Sequence, residues 1–176
     1  MIKINYEKRW DNVRSSLGEK DAFVAALPGN TRYLANSESP PGTPPSSTMN
    51  YVVIPKKGEP IAITSSLEEH RCRHESSVND IRCWTTYPDI KSDGKSALEI
   101  LKSSLKEIKA KQIFVDTKVS LGRYFKSSVS SNLNELRSIK SEAELERIKK
   151  AIKQSDDGQR FAYNLVESGE GLSEKE

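Results

Sequence analysis

The chain is poor in the residues that several classes of protein depend on. Only Cys72 and Cys83 occur in its 176 residues, so no disulfide framework is implied and reduced thiols in a cytoplasm are the simplest reading. Histidine stops at His74, which leaves the rest of the chain without an imidazole for a metal or a general base. No apolar run approaches the roughly 20 residues that cross a bilayer. The opening Met1-Ile-Lys-Ile-Asn-Tyr-Glu-Lys8 has no apolar segment behind its first charge and is not a signal peptide. Gly29, Gly42, Gly58, Gly94 and Gly122 stand singly, so there is no glycine-rich phosphate loop, and no Gly-x-Ser-x-Gly elbow occurs. There is no internal repeat.

The charge is equally undramatic. The net value is +3, with 21 Lys/Arg against 16 Asp/Glu in residues 1–137 and 7 against 9 in 138–176. A surplus that small gives no reason to expect a nucleic-acid partner, which calls for a concentrated basic face.

What remains is a hydrophobic fraction of 35% and a charged fraction of 30%, enough for one domain of ordinary size. Asn5 caps a helix whose Tyr6, Trp10, Val13 and Leu17 form one stripe, with Gly18 placed to end it. Asp21-Ala-Phe-Val-Ala-Ala-Leu27, closed by Pro28-Gly29, reads as a strand buried on both faces. Residues 36–48 hold four prolines and no periodicity, so they are expected to be a loop. Asn50–Ile54 and Ile61–Thr64 flank a glycine-containing turn as a hairpin. Ser66 and Glu69 have capping-box spacing for a helix over 67–75, and Ile81, Cys83 and Thr85 alternate as in a strand. Leu98, Leu101, Leu105 and Ile108 mark an amphipathic helix, Gln112–Asp116 a buried strand, and Leu121–Phe125 a further short helix. The pattern predicts an α/β domain with a mixed β-sheet of about five or six strands flanked by helices.

From Asn132 onward nothing reads as strand. Ser141 and Glu144 form a second capping box before a helix of about 25 residues, interrupted at Asp156-Asp157-Gly158. Ser173 and Glu176 form a third, a helix start with no helix behind it. The chain is therefore expected to continue beyond Glu176, with residues 1–137 as one domain and 138–176 as the junction and first helix of the next.

Few constellations suggest chemistry. His70 and His74, four apart on one helical face, could share a metal. Cys72 points to another side of that helix, and the order His-Glu-x-x-His is absent, so two solvent-facing histidines are the simpler reading. Asp156 and Asp157 diverge by about 100° on a helix, which suits a solvated face followed by a glycine kink. Lys102, Lys106 and Lys109 make the polar side of an amphipathic helix. Spacing alone yields no catalytic site.

Two segments carry a resemblance. DAFVAALPGNTRYLAN, Asp21–Asn36, resembles the strand and Pro-x-Asn-x-x-Tyr-Leu-x-Gly segment of the creatinase/prolidase N-terminal domain, with Asn36 where Gly is frequent. LRSIKSEAELERIKKA, Leu136–Ala151, is similar to the junction leading into the pita-bread catalytic domain of Xaa-Pro dipeptidases, aminopeptidase P and creatinase. The resemblance implies a non-catalytic N-terminal domain of a cytoplasmic Xaa-Pro metallopeptidase, serving dimerisation and active-site access. It implies no catalytic or metal residue in this chain. Two Asp, one His and two Glu holding a dinuclear divalent metal (Mn, Co or Zn) would lie beyond Glu176, in the catalytic domain that is this domain's partner. It places Tyr33, Ser37, Pro40, Pro41, Pro44 and Pro45 where a loop could restrict access to short proline-containing peptides. Two alternatives stay open: the N-terminal domain of a creatinase-like hydrolase, and a free-standing protein-binding module.

Overall fold

The computed structural model describes residues 3–36, 49–117, 126–130 and 132–169. It divides into two units, Asn5–Ser138 and a second containing Ile139 onward with Met1–Ile4. Each is taken by itself.

The larger unit opens with α1, Tyr6–Ser15, where the Asn5 side chain accepts the Lys8 N–H as an N-cap. Strand β1, Asp21–Ala25, follows, then helix α2, Pro28–Ala35. Strands β2, Met49–Pro55, and β3, Ile61–Ser65, form the expected hairpin, with antiparallel pairing such as Val52 opposite Ala62. Helix α3, Glu69–Glu75, β4, Asp80–Trp84, α4, Ala97–Glu107, and β5, Gln112–Val115, come next. The unit closes with β6, Ser127–Val129, and α5, Asn132–Ser138.

The strands form one mixed sheet in the order β4-β3-β2-β1-β5-β6. β1 lies antiparallel to β2 and parallel to β5, and β5 lies parallel to β6. Both faces of the sheet's middle are covered, as the apolar run at 21–25 requires. Phe23 and Ala25 join Trp10, Val13, Leu34 and Val52 in one core, while Ala22 and Val24 join Val53, Ile63, Ile100, Leu101 and Leu105 in the other. Strand β4 is an edge, and its backbone is bridged by the next segment: the Asp93 N–H donates to the Cys83 carbonyl at 2.8 Å. Such cover blunts an edge against unwanted pairing.

The structure corrects the sequence reading in several places. The strand expected to reach Leu27 ends at Ala25, and residues 28–35, read only as the strand's closure and the loop's approach, are helical. Proline fits there because it stands at the first helical position, where its missing N–H costs nothing. No capping box opens α3. The helix starts after Glu68, because the Ser66 N–H is committed to the Trp84 carbonyl at 2.9 Å and Glu69 pairs with Arg73 at 2.8 Å. Lys109 is not on the α4 stripe, since the helix ends at Glu107 and Lys109 adopts φ 54°. The β6 strand and α5 were not anticipated. The helix expected at 121–125 and the Ser173–Glu176 capping box lie outside the described residues.

The second unit is dominated by α6, Glu142–Ser168, a helix of 27 residues. Its predicted capping box is present: Ser141 accepts the Glu144 N–H, and the Glu144 carboxylate accepts the Ser141 N–H at 2.9 Å. The expected interruption at Asp156-Asp157-Gly158 does not occur, and the helix continues through all three residues to Gly169, an αL cap at φ 68°. Among the described residues no helix is long and apolar enough to cross a membrane.

Candidate functional site

Of the access residues expected from the sequence, Tyr33 is described, while Ser37, Pro40, Pro41, Pro44 and Pro45 lie outside the described residues. Tyr33 stands on α2, so the site is built from that helix.

A helix of eight residues is too short to hold itself together, because its nucleus costs more than its few hydrogen bonds return. Every helix leaves four N–H groups and four carbonyls without an internal partner. Here several of those groups are met from distant parts of the chain. At the N-terminal end the Asp116 carboxylate, one residue past β5, accepts the Ala26 N–H at 3.0 Å and the Leu27 N–H at 3.0 Å. It also accepts the Asn30 side-chain amide at 2.9 Å. A negative group at this end also suits the helix dipole.

Asn30 is 1% exposed and uses both ends of its amide. Its oxygen accepts from Arg137 Nη1 at 2.7 Å. A Cβ built on Gly29 would stand 3.3 Å from Arg137 Nη2, so glycine leaves the room the guanidinium occupies.

At the C-terminal end all four last carbonyls of α2 have named donors. The Asn36 N–H donates to Arg32 O at 2.9 Å, Arg9 Nη1 to Tyr33 O at 2.6 Å, Trp10 Nε1 to Leu34 O at 2.8 Å, and the Ser77 N–H to Ala35 O at 2.9 Å. Asn36 takes the αL conformation at φ 58°, which asparagine tolerates better than most residues. Its oxygen accepts from the Tyr6 hydroxyl at 2.7 Å, and its amide donates to the Glu75 carbonyl at 2.9 Å. Asn36, where the family pattern often has Gly, thus performs the glycine's conformational task and adds two tethers.

The Tyr33 ring packs against the larger core, with the Arg9 guanidinium 3.9 Å from its centroid. Arg9 also lies 4.9 Å from the Tyr6 ring. Cation–π contacts of this kind, partly shielded from water, hold an aromatic in one place.

The other candidates are placed as follows. His70 and His74 are both exposed on α3, with ring centroids 4.7 Å apart. Among the described residues no group of three or more His, Cys, Asp or Glu could hold a metal ion. Cys72 and Cys83 are buried and in no disulfide, and burial, with Glu69 beside it, pushes the Cys83 thiol up to about 12. A thiol held in that state is no nucleophile near neutral pH. Arg82 is held above its ordinary value by hydrogen bonds to Asp80 and Glu107; its role is to tie β4 to α4. An open groove lined by Ser16, Phe114, Ser130, Asn132 and Glu135 brings serines near one carboxylate but near no imidazole.

Three residues of the polar relay were not singled out by sequence reasoning. Asn30 and Arg137 lay inside the two quoted segments, in Pro-Gly-Asn30 and in Arg137-Ser-Ile-Lys-Ser, and Asp116 closed a predicted strand. The relay joins the two segments that carry the resemblance.

The fold has counterparts among solved structures. The Xaa-Pro dipeptidase from Bacillus anthracis superposes on 92% of this chain with a TM-score of 0.69 and 17% identity. The creatinase/prolidase N-terminal domain of an X-Pro dipeptidase from Streptococcus pyogenes superposes on 75% of this chain, at 15% identity and a TM-score of 0.51. The fold is that of the creatinase/prolidase N-terminal domain. A recombinant prolidase from Thermococcus sibiricus shares it over 94% of this chain, at 21% identity and a TM-score of 0.66. The chain covers 98% of the Streptococcus pyogenes domain but only 44% of the Bacillus anthracis dipeptidase and 45% of the Thermococcus prolidase. It therefore spans less than half the length of those two enzymes. No protein-family model and no curated protein matches the chain.

Proposed function

We propose that this chain is the non-catalytic N-terminal domain of a cytoplasmic Xaa-Pro metallopeptidase, with a dinuclear-metal catalytic domain lying outside it. The observation that carries the reading is the extent of the match: an isolated N-terminal domain of an X-Pro dipeptidase is covered over 98% of its length. The meeting of the two resembling segments at Asn30 and Arg137, 2.7 Å apart, supports it independently. By itself the chain hydrolyses nothing. Its work is dimerisation and control of access, in which Tyr33 and the residues of 37–48 restrict the catalytic centre to short peptides.

The access reading predicts that removing residues 38–47 from the complete protein extends activity to longer proline-containing peptides, with dipeptide turnover preserved. The check is kcat/KM on peptides of two to six residues, and unchanged length selectivity would sink it. The dimerisation reading is checked by sedimentation of the complete protein, where a monomer at micromolar concentration contradicts it.

A further inference from the structure

The Asp116–Asn30–Arg137 relay is more than a helix cap. Its three members come from the end of β5, the first turn of α2 and the last turn of α5, and each hydrogen bond fixes the next. Asp116 needs a donor from Asn30, so Asn30 must turn its oxygen outward, and that oxygen faces Arg137. Arg137 lies one residue before the end of its unit, immediately ahead of the segment leading to α6. Its guanidinium rests against Gly29 with no side chain between them.

We propose that Arg137 is a positioning residue: acting through Asn30 and Asp116, it sets the orientation of α2 and hence of Tyr33. The inference rests on the reading of Tyr33 as an access residue, and deepens it by tying that residue to the chain's junction segment. Tyr33 lies three residues, almost one helical turn, beyond Asn30, so a tilt at the first turn is carried to its ring. Arg9 and Trp10 hold the far end of α2 through its carbonyls and the relay holds the near end, so Tyr33 is fixed from both.

The relay has a polarity that can be exchanged. In Asn30→Asp alone, two carboxylates face each other across the present 2.9 Å hydrogen bond, and like charges so placed repel. In Asp116→Asn alone, only one end of the introduced amide accepts, so its donor faces either the Asn30 amide or the Ala26 N–H. The double variant restores the side-chain bonds of the relay. The carboxylate introduced at position 30 accepts from Arg137 and from the amide introduced at position 116, whose oxygen keeps the Ala26 N–H, while the Leu27 N–H, which shares Oδ2 with Asn30 in the parent, loses its acceptor.

The test is hydrogen exchange on the 176-residue chain and its variants, read at the amides of Thr31–Ala35 and, as control, at those of β3. Both single variants and Arg137→Ala should speed α2 exchange by about tenfold while β3 changes little, as expected for local loss of one charge-assisted bond. Asn30→Asp/Asp116→Asn should slow α2 exchange by about threefold or more relative to either single variant, short of the parent rate. A double variant no better than the singles, or an Arg137→Ala variant with unchanged α2 exchange, overturns the proposal. In the complete protein, Arg137→Ala should shift the KM ratio of tripeptide to dipeptide with kcat retained, and Arg137→Lys should recover part of that ratio. An unchanged ratio with altered α2 exchange would sink the link to access while leaving the relay standing. Absence of peptidase activity in the unmutated complete protein would instead sink the proposed function, and the exchange result would still be read.

Discussion

Helices α2 and α6 are held by opposite means. The first has eight residues, and its end groups are met by Asp116, Arg9, Trp10 and the Asn36 and Ser77 amides. The second has 27 residues, with a capping box of its own at Ser141 and Glu144 and an αL glycine at its end. Isolated helices become viable at about 12–15 residues, so α6 exceeds the threshold and α2 falls short of it. A helix that depends on remote partners can be steered by them. One that supplies its own ends is a strut, and its exposed Leu145, Ile148 and Ile152 lie along one side.

The contrast breaks most sharply at Asp116. Asp116→Ala removes the acceptor of two backbone amides and of Asn30, and should cost the Asn5–Ser138 unit about 2–3 kcal/mol in urea unfolding. A loss below about 0.5 kcal/mol would mean that water replaces the carboxylate and α2 stands by itself. Ser141→Ala, at the cap of α6, should cost that helix about 1 kcal/mol and leave the unfolding midpoint of the larger unit where it was. Gly158→Ala should act in the other direction. A Cβ there meets nothing within 4 Å, and exchanging a mid-helix glycine for alanine stabilises by about 0.5–1 kcal/mol. Far-ultraviolet circular dichroism during heating checks both.

The smallest effect belongs to the Arg82–Glu107 pair. The hydrogen bond from Arg82 holds the Glu107 carboxyl below its ordinary value. A depressed carboxyl stabilises the folded state above its unfolded pKa, and that contribution is lost as pH falls through the folded one. Glu107 is 62% exposed, so screening keeps the effect to a few tenths of a kcal/mol. Glu107→Gln should therefore lower the midpoint slightly at pH 7, with the difference fading below the ordinary glutamate range.

The same contrast explains what the sequence disclosed. Ser141-Glu-Ala-Glu144 is a local signal, and nothing remote competes for it, so α6 was legible from its first residue. The mixed sheet was legible too, because the run Asp21–Ala25 and the alternation at Ile81–Trp84 report burial directly. Helix α2 was not. Its propensity is modest, it begins at proline, and its stabilising partners stand up to 107 positions away in the chain. Ser66 and Glu69 show the converse, a correct local pattern defeated when the Ser66 N–H joins Trp84. Asn30 and Arg137 stood in view inside the resembling segments, but their contact spans 107 positions, and no spacing rule reaches that far.

The proposed function puts catalysis outside this chain. Its most direct test is hydrolysis of an Xaa-Pro dipeptide, with manganese, cobalt or zinc supplied, by residues 1–176 and by the complete product of the parent reading frame. The account predicts metal-dependent release of proline by the complete product and none by the 176-residue chain. Release by the 176-residue chain, or a complete product that cleaves no Xaa-Pro bond, would contradict it.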